Sequence, residues 1–263
     1  MPRRPLVSVI IPTYNRAQLL REAISSVLAQ TCQDFEILVA DDGSSDNTGQ
    51  AVAAIADPRI VYIPLARSGR PAVPRNAAMA RARGRYLAFL DSDDLWLPGK
   101  LALQTQAMAA RPGLLAVAAN VGILPGGPEK AQDRSGDELV SFDALAGMQT
   151  WLANSTVLLD AAVPELIGPL DEDPALRGTE DHDYWLRILR HRDVSILNMA
   201  EVLAGYRLHG DNLLGALMGE KTLRMLARIY RKHLDFRPGL LGGRLEQIEA
   251  ELSLTGKTSG GGA

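Results

Sequence analysis

The sequence predicts an α/β fold: a mostly parallel central sheet with helices on both faces. Two observations carry that expectation. From Leu6 to about Ala119, short apolar runs rich in β-branched residues alternate with stretches of helical spacing, as in sheets whose strands are joined by helical crossovers. Three of those runs end in polar clusters, Pro12 to Asn15, Asp41 to Ser44 and Asp91 to Asp94. Sheets of this kind bind ligands beyond the carboxyl ends of their strands, so the clusters point to one shared site.

In order along the chain, Leu6 to Ile11 reads as a strand buried on both faces, because its apolar run is continuous rather than alternating. Asn15 is the expected cap of a helix in which Leu20, Ile24, Val27 and Leu28 recur at helical spacing. Phe35 to Ala40 is a second strand, ending in the turn-rich Asp41-Asp42-Gly43-Ser44; Asp46 or Asn47 then starts a helix through Val52 and Ile55. Ile60 to Ile63 is a third strand, and Pro74 suits the first turn of a helix running towards Arg83. Tyr86 to Leu90 is a fourth strand, Pro98 opens another helix, and Leu115 to Ala119 is a fifth strand.

Beyond it, Gly122 to Gly136 is rich in Gly, Pro and charge and reads as a loop, and Asn154 to Leu159 as a strand. Glu180 to Arg190 is a helix with Tyr184, Trp185, Ile188 and Leu189 on its buried side. Thr222 to Tyr230 and Leu245 to Leu252 read as terminal helices, and the Gly/Ser-rich Thr255 to Ala263 as a flexible tail. The expected organisation is one main domain over residues 1–212, with a first half up to about residue 120 and a second half after it. A helical extension over 213–254 and the tail over 255–263 follow.

Composition removes several classes. The chain has 263 residues and a net charge of −3, whereas a general nucleic-acid binder needs a basic excess to neutralise phosphates. No segment approaches the roughly 18 apolar residues of a membrane span. The one cysteine, Cys32, cannot form an internal disulfide and favours a reducing compartment. The expected location is cytoplasmic, with peripheral contact at the inner membrane face left open. Leu213 to Leu217 and the last helices suit either an oligomer contact or a membrane surface.

The polar clusters carry chemistry. Three carboxylates within Asp91-Ser92-Asp93-Asp94 repel one another unless a cation balances them, and oxygen-only donors suit Mg²⁺ or Mn²⁺. The alternative is a solvated acidic turn. Asp41-Asp42-Gly43-Ser44 can turn sharply and accept a base N–H, or be a plain turn with a helix cap. Pro12-Thr13-Tyr14-Asn15 can offer a ring face and backbone groups to a nucleobase. Arg70 and Arg75 suit a diphosphate, with surface salt bridges as the alternative. Glu180 and Asp181 at a helix start are either partners of the helix dipole or a general base acting on a hydroxyl. His209 suits a metal shell or a phosphate. Trp151 and Trp185 could stack on a sugar ring, although core packing is the simpler reading.

Taken together, these segments resemble the family-two inverting glycosyltransferases of GT-A fold. Val7-Ser8-Val9-Ile10-Ile11-Pro12-Thr13-Tyr14-Asn15-Arg16 is similar to the opening strand of that family, and Asp41-Asp42-Gly43-Ser44 to its base-binding turn. Asp91-Ser92-Asp93-Asp94 resembles its metal motif, Glu180-Asp181 with Trp185-Leu186-Arg187 its catalytic-base helix, and Tyr206-Arg207-Leu208-His209 its late motif. The order and approximate spacing agree from Leu6 to about His209.

The resemblance implies a Rossmann-like sheet and a nucleoside diphosphate sugar donor, with uracil the favoured base. Pro12, Tyr14 and Asp42 would contact the nucleoside and Asp41 would support them, beside Thr13 and Asn15. Arg75 would help hold the donor, alongside Arg70. Asp91 would lie near the ribose or sugar beside Ser92, and Asp93 would ligate a divalent Mn or Mg ion, with His209 as a further ligand. Asp181 would be the general base, supported by Glu180 and Asp94. The acceptor would be a saccharide, a lipid-linked molecule or a protein. Pro71 and Pro74 depart from the family pattern, standing where small flexible residues are common.

Three other readings compete. A sugar-nucleotide nucleotidyltransferase would carry a Gly-rich, Arg-containing loop where Pro12 to Arg16 stands. A phosphotransferase using Asp91 as nucleophile would carry that residue on the first strand. A non-catalytic nucleotide-sugar binding protein would have no use for Asp181.

Overall fold

The computed structural model describes residues 4–124, 135–207 and 219–258. Its first part follows the expected order: β1 (Val7–Thr13), α1 (Ala17–Leu28), β2 (Phe35–Asp41), α2 (Thr48–Ala53), β3 (Ile60–Pro64), α3 (Ala72–Met79) and β4 (Tyr86–Phe89). These strands lie parallel in the order β3-β2-β1-β4. Register explains why their ends form one site. Thr13 pairs with Asp41, and Ile10 with Phe89, so the residues just past β1, β2 and β4 emerge along one edge. Ile10 faces one side of the sheet with Leu38 and Phe89, while Val9 and Ile11 face the other with Ile24 and Val39. Both faces of β1 are therefore buried, which is why its apolar run does not alternate.

The second part contributes β5 (Leu95–Trp96), α4 (Lys100–Ala110), β6 (Ala116–Leu124), β7 (Glu138–Val140), α5 (Phe142–Ala146), β8 (Leu158–Asp160) and α6 (Val163–Ile167). α7 (Glu180–His191), β9 (Ile196–Arg207), α8 (Glu220–His233) and α9 (Pro238–Thr258) complete it. Among the described residues the sheet has nine strands, ordered β3-β2-β1-β4-β8-β6-β9-β5, with β7 also paired to β9. Here direction is mixed. β8 runs antiparallel to β4 and β6, β5 and β7 run antiparallel to β9, and β6 and β9 are parallel. Because β8 is reversed, the segment entering it lies at the edge where β4 leaves.

Several local expectations are corrected. Asn154 to Thr156 is a 3₁₀ turn, and extended structure starts only at Leu158. The cause is polar: the side chains of Asn154 and Ser155 bond to the acidic segment after β4, and the Trp96 indole N–H holds the Ser155 carbonyl at 2.6 Å. Asn15 does not cap α1. It sits at φ 49°, and its carboxamide oxygen accepts the N–H groups of Ser45 (2.8 Å) and Asp46 (3.3 Å), tying the turn after β1 to the turn after β2. The loop expected from Gly122 is still strand as far as Leu124, because β6 keeps pairing with β9 up to Arg207. The helix after Pro98 begins at Lys100, α3 ends at Met79 rather than near Arg83, and α9 continues through Thr258, where a tail was expected from Thr255. His209 and Leu213 to Leu217 lie outside the described residues. No described helix is long and apolar enough to cross a membrane.

Candidate active site

A cleft of about 300 Å³ opens at the edge where β1, β2 and β4 end. Pro12, Thr13, Tyr14, Asp42, Arg70, Arg75, Asp91, Ser92 and Asp93 line it, and so do Glu180 and Asp181 from the start of α7. Residues up to 194 positions apart in the chain, Pro12 and Tyr206, thus share one cavity.

Three carboxylates beyond the strand ends, Asp42, Asp91 and Asp93, each meet an arginine. Asp42 is buried; its Oδ1 accepts the Ser68 N–H (2.9 Å) and hydroxyl (2.6 Å), and its Oδ2 accepts the Gly69 N–H (2.9 Å) and the Arg67 guanidinium. Arg67 also stacks on the Tyr14 ring, its guanidinium carbon 3.5 Å from the centroid. Asp93 pairs with Arg16. Asp91 Oδ1 accepts from Arg75 Nη2 at 2.6 Å and from Asn154 Nδ2 at 3.0 Å. The buried Arg75 uses its other terminal nitrogen on Glu180. Burial opposes the Arg75 charge, but Asp91 and Glu180 outweigh it and raise its pKa. Asp94, 2% exposed, accepts from the Ser155 hydroxyl (2.5 Å) and the Arg207 N–H (3.1 Å). Burial, with Asp91 and Asp93 nearby, holds its pKa well above the usual carboxylate range, and its two hydrogen bonds brace the segment after β4 against Ser155 and Arg207.

Asp181 is different. Its carboxylate accepts the N–H of His182 at 2.8 Å. Burial first, then the charge of Glu180, push its pKa up to about 7, against the pull of Arg75. That value suits a group that must take a proton near neutral pH.

Asp41 and Asn15 build the scaffold around these groups. Asp41 accepts the Ser44 N–H (2.9 Å) and hydroxyl (2.6 Å) and the Tyr62 hydroxyl, bracing the turn that presents Asp42. Asn15 clamps two loops, as described, and is absent from the cleft lining. Trp185 is core, 6.1 Å from Phe89 ring to ring, and Trp151 packs against the opposite face of the sheet. Among the described residues no group of three His, Cys, Asp or Glu side chains is arranged to hold a metal by itself.

Residues 8–173 match the glycosyl transferase family 2 profile. The chain belongs to glycosyltransferase family 2. It is 31% identical over 241 residues to the Escherichia coli UDP-Glc:alpha-D-GlcNAc-diphosphoundecaprenol beta-1,3-glucosyltransferase WfgD, covering 86% of this chain and 90% of that one. A second E. coli relative, WfaP, bears the same activity name and is 30% identical over 217 residues, covering 79% of each chain. In fold the chain is similar to S. aureus TarS in complex with UDP-GlcNAc (TM-score 0.72, 20% identity, 93% of this chain and 72% of that one). It is also similar to the mannosyltransferase PcManGT from Pyrobaculum calidifontis in complex with GDP-Man and Mn2+ (TM-score 0.68, 20% identity, 100% and 77%). The fold is therefore GT-A, and the chain is a nucleotide-sugar-dependent glycosyltransferase.

This family 2 site contains residues that motif reading passed over. Arg67 lies three residues past β3, at the same sheet edge as the recognised clusters, and that edge rule could have found it. Asn154 and Ser155 left no such signal, because a polar pair in an apolar segment looks like any turn.

Proposed function

We propose that this transferase is an inverting enzyme that moves a sugar from a UDP-sugar to a hydroxyl of a lipid-linked saccharide, with a divalent cation and with Asp181 as general base. One observation carries the reading: Asp181, with its pKa near 7, opens into the same cleft as Asp42 and Asp93. The activity names of WfgD and WfaP support the donor and acceptor classes. A lipid-linked acceptor also supports a peripheral position at a membrane. Residues up to about 120 then serve the donor, and the segment after them the acceptor.

On this reading the nucleoside lies against Pro12, Thr13 and Tyr14, with Asp42 and Arg67 at its edge. The acceptor hydroxyl approaches from the α7 side, gives its proton to an Asp181 oxygen and bonds to the anomeric carbon as the bond to the diphosphate oxygen breaks. Attack opposite the leaving group inverts the centre without a covalent intermediate. Arg70, on the cleft rim, adds positive charge where the diphosphate departs, and Arg75 keeps Glu180 and Asp91 in place.

A hard divalent cation fits the donors present. Asp91 and Asp93 offer only oxygen, and Asp93 already has a positive charge, Arg16, at its carboxylate. Asp93, with Asp91 beside it, would hold the ion, and the phosphates and water would complete its shell. When bound, it supplies Lewis-acid stabilisation of the leaving diphosphate.

Calorimetric titration with UDP, GDP and dTDP, with and without Mn²⁺, tests the reading. UDP with Mn²⁺ is expected to bind tightest, and Asp93→Ala is expected to remove the metal-dependent part. Equal affinity in the variant and the parent, metal present, contradicts the assignment. Transfer from UDP-sugars to lipid-linked acceptors, absent in Asp181→Asn, completes the test.

A further inference from the structure

We infer that the solvent face of α8, together with Arg177, forms a groove that receives a phosphate or diphosphate carried by the acceptor next to its sugar. The inference rests on the transferase reading above and deepens it by naming what the acceptor must carry.

Every exposed residue of α8 after Glu220 is cationic: Lys221, Arg224, Arg228, Arg231 and Lys232. Their spacing places them within an arc of about 100° of the helix. The opposite side is buried through Leu223, Leu226, Ile229 and Tyr230. An amphipathic helix needs a polar outer stripe, but glutamate, glutamine or serine would serve equally. In a chain with more acidic than basic residues, a stripe of one sign calls for an anionic partner.

The position of the stripe narrows that partner. It walls a groove of about 1010 Å³ whose other side is the segment from Asp171 to Arg177. Arg177 lines both this groove and the catalytic cleft, four residues before Asp181 and just before Gly178, whose φ is 88°. The groove and the cleft therefore share Arg177 as a common wall. Four of its cations are preset by acids: Arg228 by Asp173 (2.8 Å), Lys232 by Asp171 (2.7 Å), Arg224 by Glu220 (2.6 Å) and Arg231 by Glu249 (3.0 Å). Among the described residues, Arg177 and Lys221 have no ion pair. An entering phosphate thus meets two uncommitted cations beside oriented guanidinium groups, the donors that suit phosphate oxygens. Because four of these cations already pair with acids beside the stripe, it is a poor face for a whole anionic bilayer, whereas a groove that shares a wall with the cleft fits a group borne by the substrate itself.

The test compares two soluble acceptors of equal alkyl chain: an N-acetylglucosaminyl diphosphate and the matching N-acetylglucosaminide without phosphate. In the double variant Lys221→Gln/Arg224→Gln, KM for the diphosphate acceptor is expected to rise at least tenfold; Arg177→Gln, which also borders the cleft, is read by binding alone. KM for the phosphate-free acceptor should shift less than twofold. Equal shifts for both acceptors, or none for either, overturn the inference. Calorimetric binding of the alkyl diphosphate, with UDP filling the donor site, gives a readout independent of turnover and should weaken at least tenfold in both variants. Loss of that difference sinks the groove, whereas absent transfer from any UDP-sugar sinks the transferase reading and leaves this binding measurement standing. If the variants instead lose binding to phosphatidylglycerol-containing vesicles while KM for the soluble diphosphate acceptor is unchanged, the stripe faces a bilayer and the inference fails.

Discussion

The two sides of the cleft treat the same residue type in opposite ways. On the donor side Asp42, Asp91 and Asp93 each meet an arginine, from Arg67, Arg75 and Arg16 respectively. On the α7 side, Glu180 takes the second arm of Arg75, and Asp181 accepts a backbone N–H from its own helix. Pairing holds the first group in fixed positions. Burial beside a negative neighbour brings Asp181 close to neutrality. One cavity thus holds carboxylates tied to cations and a carboxylate that keeps its proton up to near neutral pH, and their environments set the difference.

Substitutions can break this contrast, beginning with the largest expected effect. Asp181→Asn should lower kcat by about 10²- to 10⁴-fold, the range for losing a positioned base, with donor affinity by calorimetry unchanged within twofold. A near-normal rate removes Asp181 from the base role. Arg75→Ala leaves Asp91 and Glu180 without their buried partner and should cost about 3–5 kcal/mol in denaturant unfolding. Arg75→Ala with Glu180→Gln should regain part of that loss, and no recovery would mean the bridge matters for its shape rather than its charge.

The pH profile sharpens the contrast further. With the Asp181 pKa near 7, kcat/KM should rise with pH to a plateau, with its acid midpoint near 7; a midpoint near 4 would place the base elsewhere. The smallest effect is on stability. Between the ordinary value of 3.8 and about 7 the folded state holds a proton that the unfolded chain has released, so this group's contribution falls as pH rises through that window. Asp181→Asn escapes the penalty, and its Tm relative to the parent should climb by a few degrees from pH 5 to pH 8.

The parallel half of the molecule was legible in the sequence, and the mixed half much less so. β1, β2 and β4 announce themselves because burial on both faces leaves no choice but apolar residues, and their polar ends mark the cleft. β5 pairs through only Leu95 and Trp96, too short to show any period. Asn154 to Thr156 was misread because its conformation is decided by Asp91, Asp94 and Trp96, all distant in the chain. Asp42, Asp91 and Arg75 were expected at the site and line the cleft, but the pairing of Arg75 with Asp91, and of Arg67 with Asp42, was not expected. Motif reading sees which residues are acidic; only folding shows which cations they have already engaged.

The turn after β2 leaves almost no room for change. A side chain at Gly43, already at φ 75°, would bring its Cβ to 2.8 Å from the backbone nitrogen of Arg67, the residue whose neighbours Asp42 holds. The Asp42-Gly43 turn and the Arg67-Ser68-Gly69 loop are in effect one module written in two places. Anyone transplanting donor preference from a relative has to move both stretches together, since either one alone inherits a partner cut to a different shape.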